Sequence, residues 1–401
     1  MIDVEELRDC YTNTPSKMVL LVADGLGGLA HPETGKSELE TAHTPNLDAL
    51  AQKSACGLTT PVLPGVAPGS GPGHLALFGY DPLKHQIGRG ALEALGIEVE
   101  LAPGDVAARG NFCTVDGEGL LTDRRAGRIP TDESAPICER LDRIEIPGVQ
   151  VDVFSVQDYR FVLRIRGDGL SELVTETDPQ VTGAKALDVK PLKPEGQKTA
   201  DIVNEFVNQA ARLMSEEERA NMLLLRGFAQ MPTLPPMGDV YRLDPAAIAA
   251  YPMYRGLATV AGMNVIPTGK SFADEIDTLR ANWDKHDFFF IHYKPADAAG
   301  EDGDFDAKVQ CLEELDPFIP EILALEPDVL MVAGDHATPA IMAAHSWHPV
   351  PFMLHSKLTK GQGVPTFDEK ACAHGAIGSV PATSVMVMGL SHAGKMTKYG
   401  P

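Results

Sequence analysis
The chain has 401 residues, 44% of them hydrophobic and 22% charged, with a formal net charge of -22 at pH 7. That length exceeds one compact core and suits about two domains. A surface this acidic repels phosphate backbones and speaks against nucleic acid as a partner, and no apolar run approaches the roughly 20 residues that a bilayer span needs. Any site for a small anion must be made electropositive locally, by arginines or metal ions. The N-terminal "MIDVEELRDC" lacks the basic-then-apolar order of a signal peptide. The six cysteines are scattered without a C-x-x-C pair, so we expect reduced thiols and a cytoplasmic protein.

In chain order, "MVLLVAD" is a short apolar run that reads as a buried parallel strand ending on Asp24, followed at once by glycines. "TPNLDALAQKS" reads as a helix, with Thr44 at the N-cap, Pro45 at the first helical position and Leu47, Leu50 and Ala51 on one face. "GLTTPVLPGVAPGSGPGHLALFGYDP" is a glycine- and proline-rich loop running into a short helix. Past about residue 105 the texture changes to short strands and turns, in "GNFCTVDGEGLLTDRRAGRIP", "GVQVDVFSV" and "YRFVLRIRG". A long amphipathic helix follows, with Ile202, Phe206, Ala210 and Leu213 as its stripe. From about residue 260 the first texture returns, with "HDFFFIHYK" and "PDVLMVAGD" as buried strands and a helical stretch between them. This order predicts an α/β domain of residues 1–104 and 261–401, interrupted by an inserted α+β domain of residues 105–260.

Functional groups gather at the carboxyl edge of a parallel sheet. Three of these strands end close to acids or histidines: Asp24; Asp297 with Glu301; and Asp335 with His336, followed by His345. Any one alone reads as a loop acid or a cap. Together they form a carboxylate and imidazole set suited to Mn, Zn or Mg, and two such ions can clamp a phosphoryl oxygen. The nucleophile candidate is Ser70 in "PGSGPGHL", where glycines admit a sharp bend and the next helix points free N–H groups at an anion. A Gly-Ser-Gly loop alone is more often a flexible turn. Arg109, Arg124, Arg125, Arg128, Arg226 and Arg255 lie at strand ends and turns. They fit forked recognition of phosphate and carboxylate, with surface salt bridging as the plain alternative.

These stretches together resemble the archaeal-type 2,3-bisphosphoglycerate-independent phosphoglycerate mutases, of the alkaline phosphatase superfamily. The resemblance runs over nearly the full chain, through "VADGLGG", "PGSGPGHLALFGYDP", "GDVAARGNF", "DRRAGRI", "TDPQ", "DGDFDAKV", "GDHATP" and "HSWHPVP". It implies an alkaline-phosphatase-like, mostly parallel sheet with helices on both faces and two divalent ions (Mn, Mg, Co or Zn) at its mouth. It implies that Ser70 is phosphorylated while 3-phosphoglycerate and 2-phosphoglycerate interconvert, a step of glycolysis and gluconeogenesis that needs no 2,3-bisphosphoglycerate. Asp24, Asp335 and His336 match the ligands of the ion that also touches Ser70. Asp297 and His345 match ligands of the second ion.

The six arginines and Asp178 match the substrate-binding set, on an insertion that would close as a lid about hinges near residues 105 and 260. His74 and Asp178 are weak candidates to shuttle the glycerate proton. One position departs from the wider superfamily: Glu301 stands where the second ligand strand usually carries histidine, so either Glu301 ligates or His292 or a water fills in. Gly71 also departs, where relatives often carry a polar residue. The expected partner is a small phosphorylated acid, with self-association left open and neither nucleic acid nor membrane involved. Two rivals remain: a phosphatase, phosphonate hydrolase or homoserine kinase-like transferase on the same scaffold, and a binding protein that has lost its metal.

Overall fold
Thirteen strands order the computed structural model, which describes residues 4–231 and 233–400. They are β1 (Met18–Ala23), β2 (Ala55–Thr60), β3 (Val106–Val115), β4 (Leu121–Asp123), β5 (Gln150–Ser155), β6 (Arg160–Arg166) and β7 (Met222–Ala229). After them come β8 (Pro245–Ile248), β9 (Asn264–Val265), β10 (Phe288–Tyr293), β11 (Val329–Ala333), β12 (Val350–Ser356) and β13 (Gly378–Pro381). Eight of them form one sheet in the order β13-β2-β12-β11-β1-β10-β8-β9. Its neighbours run parallel except where β12 meets β11 and β2. The result is a mixed, mostly parallel α/β sheet.

The apolar runs become central strands because both faces are covered. Val19, Leu21 and Ala23 of β1 pack with Leu47 and Leu50 of helix Pro45–Ala51 and with Leu312 and Leu315 of helix Phe305–Leu315. On the other face, Phe78 and His74 meet Phe290 of β10 edge-on, with ring centroids 5.0 and 5.7 Å apart. A Cβ on Gly389 of helix Val385–His392 would press on Met331 and Met18, so that helix also lies close on this face. Thr44 does occupy the N-cap of helix Pro45–Ala51, but its side chain makes no capping bond. The Asp316 carboxylate accepts the Asn46 and Leu47 amides instead, at 3.1 and 2.8 Å. An anion brought from 270 residues away thus does what a local hydroxyl was expected to do.

The chain divides into one unit of residues up to Gln86 and from Leu234, and a second of Ile87–Thr233. Both boundaries fall earlier in the chain than the expected 105 and 260, and packing explains each shift. Ala91 and Ala94 of helix Arg89–Gly96 bury themselves with Ala107, Val162 and Ala229, so this helix belongs to the second unit. β8 pairs residue for residue with β10, Ala247 opposite Phe290, so it belongs to the large sheet.

In the second unit β3 pairs antiparallel with β4, β6 and β7, and β6 pairs with β5. Helix Gln197–Leu213 buries Ile202, Phe206 and Ala210 against this sheet's core. Leu213 leaves the expected stripe and is 49% exposed in the helix's last turn. All six cysteines are free thiols. Among the described residues no helix is long and apolar enough to cross a membrane.

Candidate active site
β1 lies between β10 and β11, parallel to both, with Val22 opposite His292 on one side and Ala333 on the other. Their carboxyl ends therefore open on one edge, which is where Asp24, Asp297, Asp335 and His336 emerge. The turn after Asp24 is possible only with glycine. Gly25 has φ of 65°, and a Cβ there would stand 2.6 Å from Thr338 Oγ1 and 2.9 Å from the Asp297 Cα. Lys308, fully buried, donates to the carbonyls of Gly27 at 2.9 Å and Thr338 at 2.8 Å. It thereby ties the loop after Asp24 to the loop after His336.

Ser70 is the first residue of helix Ser70–Leu77. A Cβ on Gly73 would lie 2.2 Å from the Asp335 carbonyl oxygen, so the bare glycine lets this helix sit directly on the Asp335 loop. Ser70 Oγ then lies 3.1 Å from His336 Nε2. The tautomer follows from the far side of the ring. The Thr338 hydroxyl donates to Asp297 Oδ1 at 2.6 Å and so accepts from His336 Nδ1–H at 2.9 Å. Nε2 is left with its lone pair facing Ser70, and burial keeps this imidazole below its ordinary pKa.

Two donor clusters share His336: Asp24 with Asp335 and His336, and Asp297 with His336 and His345. In the first, Asp24 Oδ2 accepts from Tyr254, from His292 Nε2 at 3.1 Å and from Lys294 Nζ at 3.2 Å. Burial opposes the Asp24 charge, yet Lys294, His292 and His336 together hold the carboxyl well below its usual range. Asp24 Oδ1 and Asp335 Oδ2 are buried without any hydrogen-bond donor. Such orphaned carboxylate oxygens are costly unless a cation takes them. With a neutral imidazole nitrogen beside them, they fit a divalent ion.

In the second cluster, His345 Nδ1 donates to the Pro68 carbonyl at 2.9 Å, which turns Nε2 toward Asp297 and Glu301, each 3.5 Å away. Burial alone would lower this imidazole, but hydrogen bonds to Asp297 and Glu301 carry it up to about 10. Glu301 reaches His345 but lies outside the tight donor set, with its side chain 56% exposed. His292 does not stand in for it: its Nε2 serves Asp24.

Of the weak proton-shuttle candidates, His74 lies against the first cluster and Asp178 lies in the second unit. His74 Nδ1–H donates to the Ser70 carbonyl at 2.8 Å and lies 3.1 Å from Asp335 Oδ2. Asp178, in the second unit, accepts Arg124 through both oxygens at 3.0 and 2.6 Å, and Arg226 approaches at 3.6 Å. Burial opposes its charge, and the Arg124 hydrogen bonds hold it below the ordinary carboxylate value. Arg109 pairs with Glu93 at 3.3 Å, while Arg125 and Arg128 are exposed. Arg255 was expected on the insertion but lies in the first unit, on helix Pro252–Val260 beside Tyr254.

Three participants escaped the sequence reading: Tyr254, Lys294 and Thr338. Each is one or two residues from a residue that was singled out or from a strand end. That proximity was the signal available.

A serine at a helix start, facing orphaned carboxylates at the carboxyl edge of an α/β sheet, has the make-up of a metal-dependent phosphotransferase. The sequence profile of 2,3-bisphosphoglycerate-independent phosphoglycerate mutase matches residues 51–220. A Thermotoga maritima protein named "Probable 2,3-bisphosphoglycerate-independent phosphoglycerate mutase" is 48% identical over 403 residues, spanning 100% of both chains. A protein of the same name in Thermus thermophilus is 48% identical over 401 residues, spanning 98% of each. The solved cofactor-independent phosphoglycerate mutase of Thermoplasma acidophilum aligns at 27% identity with a TM-score of 0.69, covering 94% of this chain and 100% of that one. A solved Pyrococcus horikoshii protein aligns at 25% identity with a TM-score of 0.82, covering 97% and 100%. The chain belongs to the 2,3-bisphosphoglycerate-independent phosphoglycerate mutase family.

Proposed function
We propose that this chain interconverts 3-phosphoglycerate and 2-phosphoglycerate without 2,3-bisphosphoglycerate, through a phosphorylated Ser70. The step belongs to glycolysis and gluconeogenesis. Divalent ions held by Asp24, Asp335 and His336, and by Asp297 and His345, would supply positive charge that lowers the serine pKa and neutralises phosphoryl oxygens. The residues do the rest. Ser70 Oγ, placed beside His336 Nε2 by the start of its helix, bonds to phosphorus as the bond from phosphorus to the 3-oxygen of glycerate breaks. In net, the proton lost by Ser70 is the one that ends on the released 3-oxygen, passed through solvent, so that glycerate ends this half of the reaction with both hydroxyls intact. The reverse sequence at the 2-oxygen frees Ser70. Lys294 adds a cation beside Asp24 and Asp297. Arg109, Arg124, Arg125, Arg128, Arg226 and Arg255 are the groups assigned to the carboxylate and phosphate of the substrate. Asp178 sets the fork of Arg124 for that task. Glu301 is assigned to the second ion as an outer oxygen donor.

The observation that carries this reading is Ser70 Oγ 3.1 Å from His336 Nε2, beside two buried carboxylate oxygens that no protein donor satisfies. The test is an enolase-coupled assay from 3-phosphoglycerate, without bisphosphoglycerate, across Mn, Mg, Co and Zn, with free phosphate followed in parallel. Ser70→Ala is expected to cut turnover by roughly a thousandfold or more while the fold survives. Turnover retained in Ser70→Ala sinks the phosphoserine route. Free phosphate as the main product makes the chain a phosphatase instead.

A further inference from the structure
Tyr254 is fully buried, yet nothing in its neighbourhood resembles an ordinary core tyrosine. Its ring stacks on His292 with centroids 3.6 Å apart at 25°, and the His74 ring lies 4.8 Å away. Lys294 Nζ lies over the other part of this environment, 5.6 Å from the ring centroid. The phenol oxygen, fixed by these contacts, donates to Asp24 Oδ2. His292 Nε2 and Lys294 Nζ donate to the same oxygen. Three donors on one oxygen leave Oδ1 without any, turned toward His336 Nε2 at 3.5 Å.

We infer that Tyr254 is a positioning residue for the ion beside Ser70: with His292 it occupies Asp24 Oδ2, so that Asp24 offers one oxygen only, in a direction set before the ion arrives. This rests on the two-ion reading above. A carboxylate with one oxygen already occupied and the other unpaired presents the same donor to any ion that binds there, which would sharpen the difference between the two clusters. Lys294 cannot give that selectivity, because it contacts both Asp24 and Asp297. Tyr254 donates to the first cluster alone.

The experiment uses chelator-stripped full-length protein titrated with Co(II), without substrate, and reads the visible absorption bands and the calorimetric stoichiometry. Tyr254→Phe keeps the ring stack and removes one hydroxyl. It is expected to weaken one of the two ions by about 10- to 100-fold and to shift that ion's absorption bands, leaving the other ion within about twofold. Tyr241→Phe is the matched control. It removes a buried hydroxyl that donates to the Phe78 carbonyl at 2.9 Å, at the far end of the Ser70 helix. It is expected to leave both affinities unchanged. His292→Gln, whose amide can reach the same oxygen, is expected to retain more of the first ion's affinity than His292→Leu.

Equal weakening of both ions in Tyr254→Phe, or of neither, overturns the assignment. If Tyr254→Phe does not fold, equal affinities in His292→Gln and His292→Leu overturn it. None of these readouts needs mutase turnover, so a chain that binds two ions but lacks that activity would refute the proposed function and leave this inference standing.

Discussion

The two donor clusters differ in how much of their geometry the protein prescribes. In the first, Asp24, Asp335 and His336 are fully buried. Gly25 donates to Asp335 Oδ1 at 3.1 Å, and Tyr254 and His292 take one oxygen of Asp24. Every polar atom not aimed inward already has a partner. In the second, Asp297 is buried but the His345 side chain is 23% exposed and Glu301 projects outward. The difference teaches that one family of ligands can build two kinds of site. One set of donors is fully buried and held by its own partners; the other is partly exposed and less constrained. Pre-set donors lose little freedom on binding, so the first ion should bind more tightly.

The harshest way to break that contrast is to remove a first-cluster oxygen. Asp335→Asn keeps the shape but swaps an orphaned anionic oxygen for a neutral amide. Turnover is expected to fall by roughly a thousandfold, with bound Co(II) dropping from two ions per chain to one. Retention of two tightly held ions would show that Asp335 is a bystander. His345→Ala should be milder at saturating metal, because its cluster keeps Asp297 and solvent access. Its signature is a metal-activation constant raised by about 10- to 100-fold with a smaller loss in kcat. A larger kcat loss than in Asp335→Asn would invert the comparison. Glu301→Gln sharpens it further. An exposed acid outside the tight set should change the second ion's affinity by less than about tenfold, and Glu301→His should favour Zn and Co over Mn and Mg. Identical metal preferences in all three proteins would remove Glu301 from the site.

How much of this was legible beforehand depended on where the forces act. β1, β10 and β11 could be read because a strand buried on both faces is a continuous apolar run. Their carboxyl ends then brought Asp24, Asp297, Asp335 and His336 together. Ser70 could be singled out as a candidate, although a Gly-Ser-Gly segment alone is more often a flexible turn; only the packing of its helix on the Asp335 loop brings its Oγ within 3.1 Å of His336. Tyr254 could not: its meaning lies in a hydrogen bond to a carboxylate 230 residues earlier in the chain. The unit boundaries failed for a similar reason. "RGALEALG" reads as a helix of either unit, and only the burial of Ala91 and Ala94 among Ala107, Val162 and Ala229 assigns it. "PAAI" is too short to announce a strand, and its register with β10 alone makes it one. Arg255 moved to the first unit along with that boundary.

The smallest expected effect tests the floor on which the first cluster rests. Glu275, on helix Phe272–Asn282, is buried and accepts the Ala250 amide at 2.9 Å and the His292 amide at 3.3 Å. It thus joins the end of β8 to the end of β10, beneath the imidazole that holds Asp24. Burial dominates its titration and raises its pKa from 4.5 to about 8, the two amides offsetting only part of that rise. Between those values the folded protein holds a proton that the unfolded chain has released. Stability from this group is therefore full below the lower value and falls as pH rises toward the upper one. Glu275→Gln keeps an acceptor and cannot ionise. The gap in Tm between the two proteins, measured from pH 5 to pH 8.5 with metal removed, should shift in the variant's favour by on the order of a few degrees. A constant gap across that range would mean that Glu275 is ionised throughout, held by its two amides, and that the floor is set by charge rather than by a proton.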